Sequence, residues 1–272
     1  TTDSAIPVQV SANFTPTSIA LGKGHACALL NGGKVMCWGS NGSGQLGDGT
    51  TTQHLTPVEV SGITSATRLS LGDYHSCAVL VDGKVMCWGY NGDGQLGDGT
   101  YADRTGPVEV LRISTATSIS LGGYHSCAVL ADGKVMCWGL NGVGTLGDGT
   151  ATINRTTPTD VLGISTATTI ARKLGRSHSC AVLTGHRVIC WGSNSKGQLG
   201  DGSTIDDIPR YAPVDVDGLR YPLPSCRWLC TSIKNDCCAP GDEEATCSGN
   251  YVPIYTGDTC WGYDGDYRCC NP

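Results

Sequence analysis

One segment recurs four times in this chain, at intervals of about fifty residues. Each copy has a histidine two residues before a cysteine, an apolar run, a short turn, Cys-Trp-Gly, and then Asn-x-x-Gly-x-Leu-Gly-Asp-Gly. The cores run from His25 to Gly39, His75 to Gly89, His125 to Gly139 and His178 to Gly192. A fixed period of this length is typical of a propeller, a solenoid or another repeat array. It argues against an enzyme, because a catalytic site needs different residues in different roles.

The repeat at residues 57–106 has the alternation of four short strands and no helical periodicity. The expected strands are Pro57–Val60, Thr67–Leu71, Cys77–Leu80 and Lys84–Trp88. Asp82-Gly83 suits the tight turn of a hairpin between the last two. Four strands in fifty residues match one propeller blade, so the sequence predicts an all-β fold of four propeller-type blades.

Two cysteines flank that hairpin turn in every copy, and the hairpin brings Cys77 opposite Cys87. Four zinc sites are the alternative, but two ligands are only half of a tetrahedral set. We therefore predict disulfides for the cysteines of all four repeats, which are Cys27, Cys37, Cys77, Cys87, Cys127, Cys137, Cys180 and Cys190.

Sixteen cysteines in total indicate an oxidising compartment. Three sequons, at Asn13, Asn41 and Asn154, predict N-glycosylation in the same compartment. The chain starts at Thr1 without an apolar leader, so we expect mature material after signal removal, or a fragment. We expect a secreted or cell-surface glycoprotein with no membrane span. A net charge of −6 without a basic stripe disfavours nucleic acid as a partner.

No residue pattern indicates catalysis, a metal or a cofactor. The four histidines have equivalent positions and could face one another as ligands, but hydrogen bonds that fix neighbouring loops are the expected role. The Asp- and Asn-rich loops lack calcium-loop spacing and are interpreted as turns. The tryptophans are expected to pack between blades. These sets are His25, His75, His125 and His178, and Trp38, Trp88, Trp138 and Trp191.

Over residues 7–220 the pattern His-x-Cys-Ala-Val-Leu-x-Asp-Gly-Lys-Val-x-Cys-Trp-Gly resembles the repeat of the regulator of chromosome condensation family. The resemblance implies that each repeat is one four-stranded blade of a propeller that closes with seven. The paired cysteines resemble secreted members rather than the nuclear exchange factor. Only the scaffold motif matches, so no functional residue of the nuclear protein is carried over. Four repeats imply missing blades, an open arc or a smaller ring.

A composition change at Tyr221–Pro224 separates residues 1–220 from a cysteine-rich module at residues 221–272. That module is too short for a large core and must be held by disulfides, among which the sequence cannot choose. Its cysteines are Cys226, Cys230, Cys237, Cys238, Cys247, Cys260, Cys269 and Cys270.

These features favour an extracellular structural or adhesive protein, such as a subunit of a cell-surface or flagellar-appendage fibre. Its expected partners are further copies of itself or other extracellular proteins, because an open arc exposes two blade faces. The alternative is a secreted binding module, a lectin or a protein inhibitor, that uses blade loops. The alternative needs divergent, aromatic-rich loops, and the loops of this chain look mostly alike.

Overall fold

The computed structural model describes residues 4–10, 14–171, 174–203, 210–216, 260–263 and 266–269. Contacts divide the chain into two units, Thr1–Leu219 and Arg220–Pro272. In the described part of the first unit, four antiparallel sheets follow one another, as expected for propeller blades. The all-β fold predicted from the repeat is therefore confirmed.

Each blade has four strands in sequence order. The first has β1 (Pro16–Leu21), β2 (His25–Leu30), β3 (Val35–Gly39) and β4 (His54–Glu59), and the second β5 (Ala66–Leu71), β6 (His75–Leu80), β7 (Val85–Gly89) and β8 (Arg104–Glu109). The third has β9 (Ala116–Leu121), β10 (His125–Leu130), β11 (Val135–Gly139) and β12 (Arg155–Asp160), and the fourth β13 (Ala167–Ile170), β14 (His178–Leu183), β15 (Val188–Gly192) and β16 (Arg210–Asp215). A 3₁₀ turn at Thr184–His186 replaces the tight β2–β3 type of turn in the fourth blade.

The central hairpin of each blade places its two cysteines directly opposite each other, as Cys77 and Cys87 are in the second blade. Gly83 closes that hairpin with a φ of +82°, a conformation that suits glycine. Disulfides join all four pairs, Cys27–Cys37, Cys77–Cys87, Cys127–Cys137 and Cys180–Cys190.

The hydrophobic core lies between successive blades as well as within them. Strand β1 contacts β5, β5 contacts β9, and β9 contacts β13, so these four strands form the inner edge of the array. In the second joint, Leu96 and Val110 of one blade form a single buried cluster with Leu121 and Trp138 of the next. A blade therefore buries much of its apolar surface only when a neighbour is present.

The structural blade is offset from the fifty-residue window that the repeat suggested. The window at residues 57–106 begins with Pro57–Val60, whereas in the structure β4 (His54–Glu59) pairs with β3 as the outer strand of the first blade. The equivalent N-terminal segment has no such sheet, since residues 4–10 form no strand.

The second unit contains one described hairpin, in which β17 (Cys260–Tyr263) pairs with β18 (Asp266–Cys269). Six tail cysteines lie outside the described residues: Cys226, Cys230, Cys237, Cys238, Cys247 and Cys270. Disulfide pairing in this module remains a prediction.

Candidate interaction surface

A repeated hydrogen-bonded clasp joins each blade to the next. Ser76 of the second blade donates its hydroxyl proton to the carbonyl oxygen of Gln45 in the first blade (2.9 Å) and lies 2.9 Å from Nε2 of His25. The indole Nε1 of Trp88 donates to the same Gln45 carbonyl at 2.9 Å. Ser126 with Trp138, and Ser179 with Trp191, form the same clasp at the next two joints.

The clasp fixes the tautomer of the histidines. The proton of each serine hydroxyl is directed to a carbonyl, so the hydroxyl oxygen must accept from Nε2–H of the histidine. Nδ1 of His75 and of His125 is then a bare nitrogen, buried without a hydrogen-bond partner. Burial first, and neighbouring histidines second, lower the pKa of both imidazoles to about 3. The histidines thus bond a strand of the next blade rather than a loop.

The Asp- and Asn-rich loops form hydrogen-bonded knots. The buried amide of Asn91 donates to the Asp98 carboxylate and accepts from the backbone N–H of Leu96. Burial would raise the pKa of Asp98, but hydrogen bonds from Thr100 and Arg104 outweigh it and lower that pKa. Among the described residues, no group of three or more His, Cys, Asp or Glu side chains could hold a metal ion.

The loops of the first three blades are also attached to the outer strand of the following blade. Gly49 donates its backbone N–H to the Thr105 carbonyl at 2.9 Å, and Gly99 does the same to Thr156. Leu46, in the first loop, is completely buried. The loops are therefore parts of the scaffold.

Asn41, a predicted glycosylation site, belongs to such a knot. It is 1% exposed, and its Nδ2 donates to Asp48, Thr50 and Thr52. A glycan on that nitrogen has no room and would remove these bonds, so the folded structure does not fit the prediction. Asn154 is partly exposed and bonds Asp93, so its glycosylation remains a prediction. Asn13 lies outside the described residues.

Three tyrosines meet near the middle of the array, at positions where no site is predicted from the sequence. Tyr74 and Tyr124 lie in the turns before β6 and β10, and Tyr90 follows β7. Their ring centroids are 6.1–6.5 Å apart, and Tyr90 stands edge-on to both of the others. All three rings are partly exposed. We call these residues the tyrosine cluster.

Two cations flank the tyrosine cluster. Lys23 Nζ donates to the Tyr74 hydroxyl at 2.9 Å and lies 5.2 Å from the centre of that ring. The Arg176 guanidinium lies 5.9 Å from the Tyr124 ring and pairs with Asp73 at 3.6 Å. Cations over tyrosine faces are attracted by the ring quadrupole.

The cluster is not evident from the sequence when whole loops are compared. The informative signal is variation at single positions of an otherwise uniform repeat. The position before the histidine is Gly24, Tyr74, Tyr124 and Ser177, and the position after Cys-Trp-Gly is Ser40, Tyr90, Leu140 and Ser193. Aromatic residues occur there only in the two middle blades.

The inner strand of the first blade exposes apolar side chains that later blades bury. Ile19 is 61% exposed, whereas its counterparts Ile119 and Ile170 are 6% and 2% exposed. Leu21 is 62% exposed, against 2% for Leu71. Trp38 is partly exposed, while the other three repeat tryptophans are completely buried. We call Ile19, Leu21 and Trp38 the first-blade face.

A family model described as RCC1-like domain matches residues 1–234, most of the chain. The chain belongs to this family. Three solved structures, each 22% identical in sequence, have a similar fold. Yeast RCC1 (Prp20), solved with Kap60 bound, matches with a TM-score of 0.68 over 77% of this chain and 50% of that chain. Prp20p from Saccharomyces cerevisiae gives 0.67 over 77% and 52%. Human WBSCR16 gives 0.65 over 76% and 54%.

This RCC1-like chain therefore spans about half the length of those solved structures. No curated protein matches it in sequence. In the part of the chain that the structure describes, no helix is long and apolar enough to cross a membrane.

Proposed function

We propose that this chain is an extracellular structural or adhesive protein, a subunit of a cell-surface or flagellar-appendage fibre that acts through protein contacts and not through catalysis. Four disulfides support an oxidising compartment, because disulfides are rare in the cytosol. RCC1-like proteins offer a precedent for protein binding: Prp20 is seen bound to Kap60, and Prp20p has binding properties toward Gsp1p and histones.

The observation that carries the proposal is the exposure of the first-blade face. Three joints within the chain show that the inner strand of a blade is normally covered by the blade before it. Each exposed leucine or isoleucine that becomes buried contributes about 1.5–3 kcal/mol. Covering Ile19 and Leu21 therefore favours association.

The proposed cover is the fourth blade of a second copy. The Asn- and Asp-rich loop of that blade has the same hydrogen-bonded knot as the other loops, with Asn194 bonded to Asp201 and Ser203. Leu199 of this loop is completely buried, like Leu46. The Gln198 backbone carbonyl is equivalent to that of Gln45, which accepts two hydrogen bonds across a joint. Head-to-tail contacts of this kind produce closed rings or open filaments.

The test compares self-association of the wild type with that of Ile19→Asp by sedimentation velocity over a range of protein concentrations. We expect the wild type to form dimers or longer assemblies, and the variant to be monomeric because a charge would be buried in the joint. Val81→Asp is the matched control, because Val81 is 76% exposed on a hairpin turn of the second blade. A wild type that stays monomeric, or an assembly unaffected by Ile19→Asp, rules out this contact.

A secreted binding module, a lectin or a protein inhibitor, is the second candidate function. The tyrosine cluster favours it, since tyrosine and arginine are enriched where proteins bind one another most strongly. Under this alternative the tyrosine cluster is the principal contact, and self-association is not required.

A further inference from the structure

The scaffold does not require the tyrosine cluster. The first and fourth blades form the same sheets with small residues at these positions, Gly24 and Ser40 in the first and Ser177 and Ser193 in the fourth. The clasp that joins the blades uses none of the three tyrosines. Their presence in the two middle blades therefore calls for another explanation.

Tyr90 removes a hydrogen bond from the scaffold. In the first blade Ser40 accepts from the side-chain amide of Gln45, and in the fourth Ser193 accepts from that of Gln198. Tyr90 occupies the equivalent position in the second blade, and Nε2 of Gln95 is buried without a partner there. An unsatisfied buried amide is unfavourable and is uncommon in native structures. Residues that break a local rule in this way are expected at functional sites.

Two cations lie on the exposed side of the cluster. Lys23 is exposed, and the side chain of Arg176 is 67% exposed. The lack of a side chain at Gly123 leaves room for the side chain of Arg176, because a Cβ on residue 123 would lie 3.0 Å from Cγ of Arg176. One carboxylate, that of Asp73, pairs with this arginine.

Two further carboxylates lie on the side of Tyr90. Burial first, and then Asp93 and Asp103, raise the pKa of the Tyr90 hydroxyl, which is therefore a neutral donor at physiological pH. Asp93 already accepts from Asn154, and Asp103 from the backbone N–H of Asn91. Lys23 donates to Tyr74 and Arg176 pairs with Asp73. The ammonium and the guanidinium each have further N–H donors beyond these contacts.

We propose that the tyrosine cluster, together with Lys23 and Arg176, is a docking site for an acidic segment of a partner protein. The tyrosine rings supply rigid contact area, and the two cations pair with carboxylates of the partner. This site deepens the second candidate function. It is defined by different residues from the first-blade face, so it also operates if the chain self-associates.

The first experiment measures binding of a fluorescein-labelled poly-glutamate peptide by fluorescence polarisation, with poly-lysine of equal length for comparison. We expect poly-glutamate to bind preferentially, more weakly as salt is added. Tyr90→Ser should weaken binding about tenfold or more, as at an interface hot spot. Arg176→Gln should weaken it several-fold. Tyr101→Ser is the matched control, because Tyr101 is 57% exposed and lies outside the cluster.

The second readout is the melting temperature of Tyr90→Ser. A binding role and a structural role of Tyr90 predict different changes in this temperature. Serine at position 90 supplies the acceptor that Gln95 lacks, so Tyr90→Ser should not lower the melting temperature. A lowered melting temperature with unchanged binding would make the cluster structural and overturn the proposal. Equal binding of poly-lysine, or binding of heparin but not of poly-glutamate, would overturn it as well.

Repeating the binding measurement with Ile19→Asp separates this site from self-association. Poly-glutamate binding that persists in a monomeric variant supports the site whatever the result of the assembly test. Binding that disappears with Ile19→Asp, while the variant remains folded, would assign the peptide to the first-blade face and overturn the proposal.

Discussion

His75 and His125 show how one repeated residue can serve the scaffold without doing chemistry. Each imidazole is buried, donates from Nε2, and has a pKa of about 3. Its glycine neighbour makes this possible: a Cβ on Gly72 would overlap the ring of His75 and lie 2.6 Å from the Gly122 carbonyl oxygen. The role of these histidines as hydrogen-bonding residues was predictable, but their partner was not, because Ser126 is fifty-one residues from His75.

The depressed histidine pKa values predict that the fold loses stability in mild acid. In the unfolded chain these histidines have a pKa near 6.5. In the folded chain their pKa is about 3, so they become protonated only at a much lower pH. Stability is therefore complete above about pH 6.5 and falls as the pH drops towards 3, by up to about 1.4 kcal/mol per pH unit for each histidine. Urea unfolding at pH 7 and pH 5 measures this loss.

His125→Gln is the matched variant for that measurement, because glutamine keeps a donor and does not titrate in this range. It should reduce the difference in unfolding free energy between pH 7 and pH 5. The aspartates of the knots do not confuse the result, since hydrogen bonds outweigh burial and lower the pKa of Asp98 and Asp148, so that they lose their contribution only below about pH 4. An unchanged difference would show that these imidazoles become solvated before the chain unfolds.

At the scale of elements, the central hairpin and its disulfide were largely predictable. Turn chemistry at Asp82-Gly83 and the cysteine spacing are local signals, and the structure pairs Cys77 with Cys87 as expected. The sheet to which an outer strand belongs was not predictable in this way. Pairing of β4 with β3 depends on a long loop and on contacts outside the window, so a window counted from Pro57 begins with the last strand of the preceding blade.

Removing one hairpin disulfide should lower the unfolding free energy by about 2.5–3 kcal/mol, the chain-entropy value for a loop of this size. The test is urea unfolding of the double variant Cys77→Ala with Cys87→Ala, in which no free thiol remains. Reduced wild type, with all four hairpins open, should be less stable still. A loss well below 1 kcal/mol would mean that residual structure already restricts this segment in the unfolded chain.

At the scale of the whole molecule, the first blade lacks the hydroxyl that the clasp uses at each of the three internal joints. Ala26 occupies the position of Ser76, Ser126 and Ser179. A blade that packs before the first blade therefore cannot receive the hydrogen bond that these serines donate. If the fourth blade of another copy covers the first-blade face, Ala26→Ser should strengthen association about fivefold, the effect of one net hydrogen bond. Sedimentation equilibrium measures this change.

The unfolding free energy of the isolated chain is the control for Ala26→Ser, and it should stay unchanged because this side chain has no blade over it. A higher unfolding free energy without stronger association would contradict the head-to-tail contact. Exposed blade ends were one of three alternatives that the sequence left open, because four repeats cannot fill a ring of seven blades. It did not reveal the tyrosine cluster, because its three rings come from turns up to fifty residues apart.

The second, third and fourth repeats each carry both halves of the joint: a serine and a tryptophan that bond the preceding blade, and a histidine, a loop leucine and a loop carbonyl of the kind that receive the next blade. A gene-copying error that duplicates one whole repeat thus yields a chain whose new neighbours already fit. Lengthening the array needs no newly evolved interface. Specialisation can then follow by single substitutions at the turn positions where the tyrosines now lie.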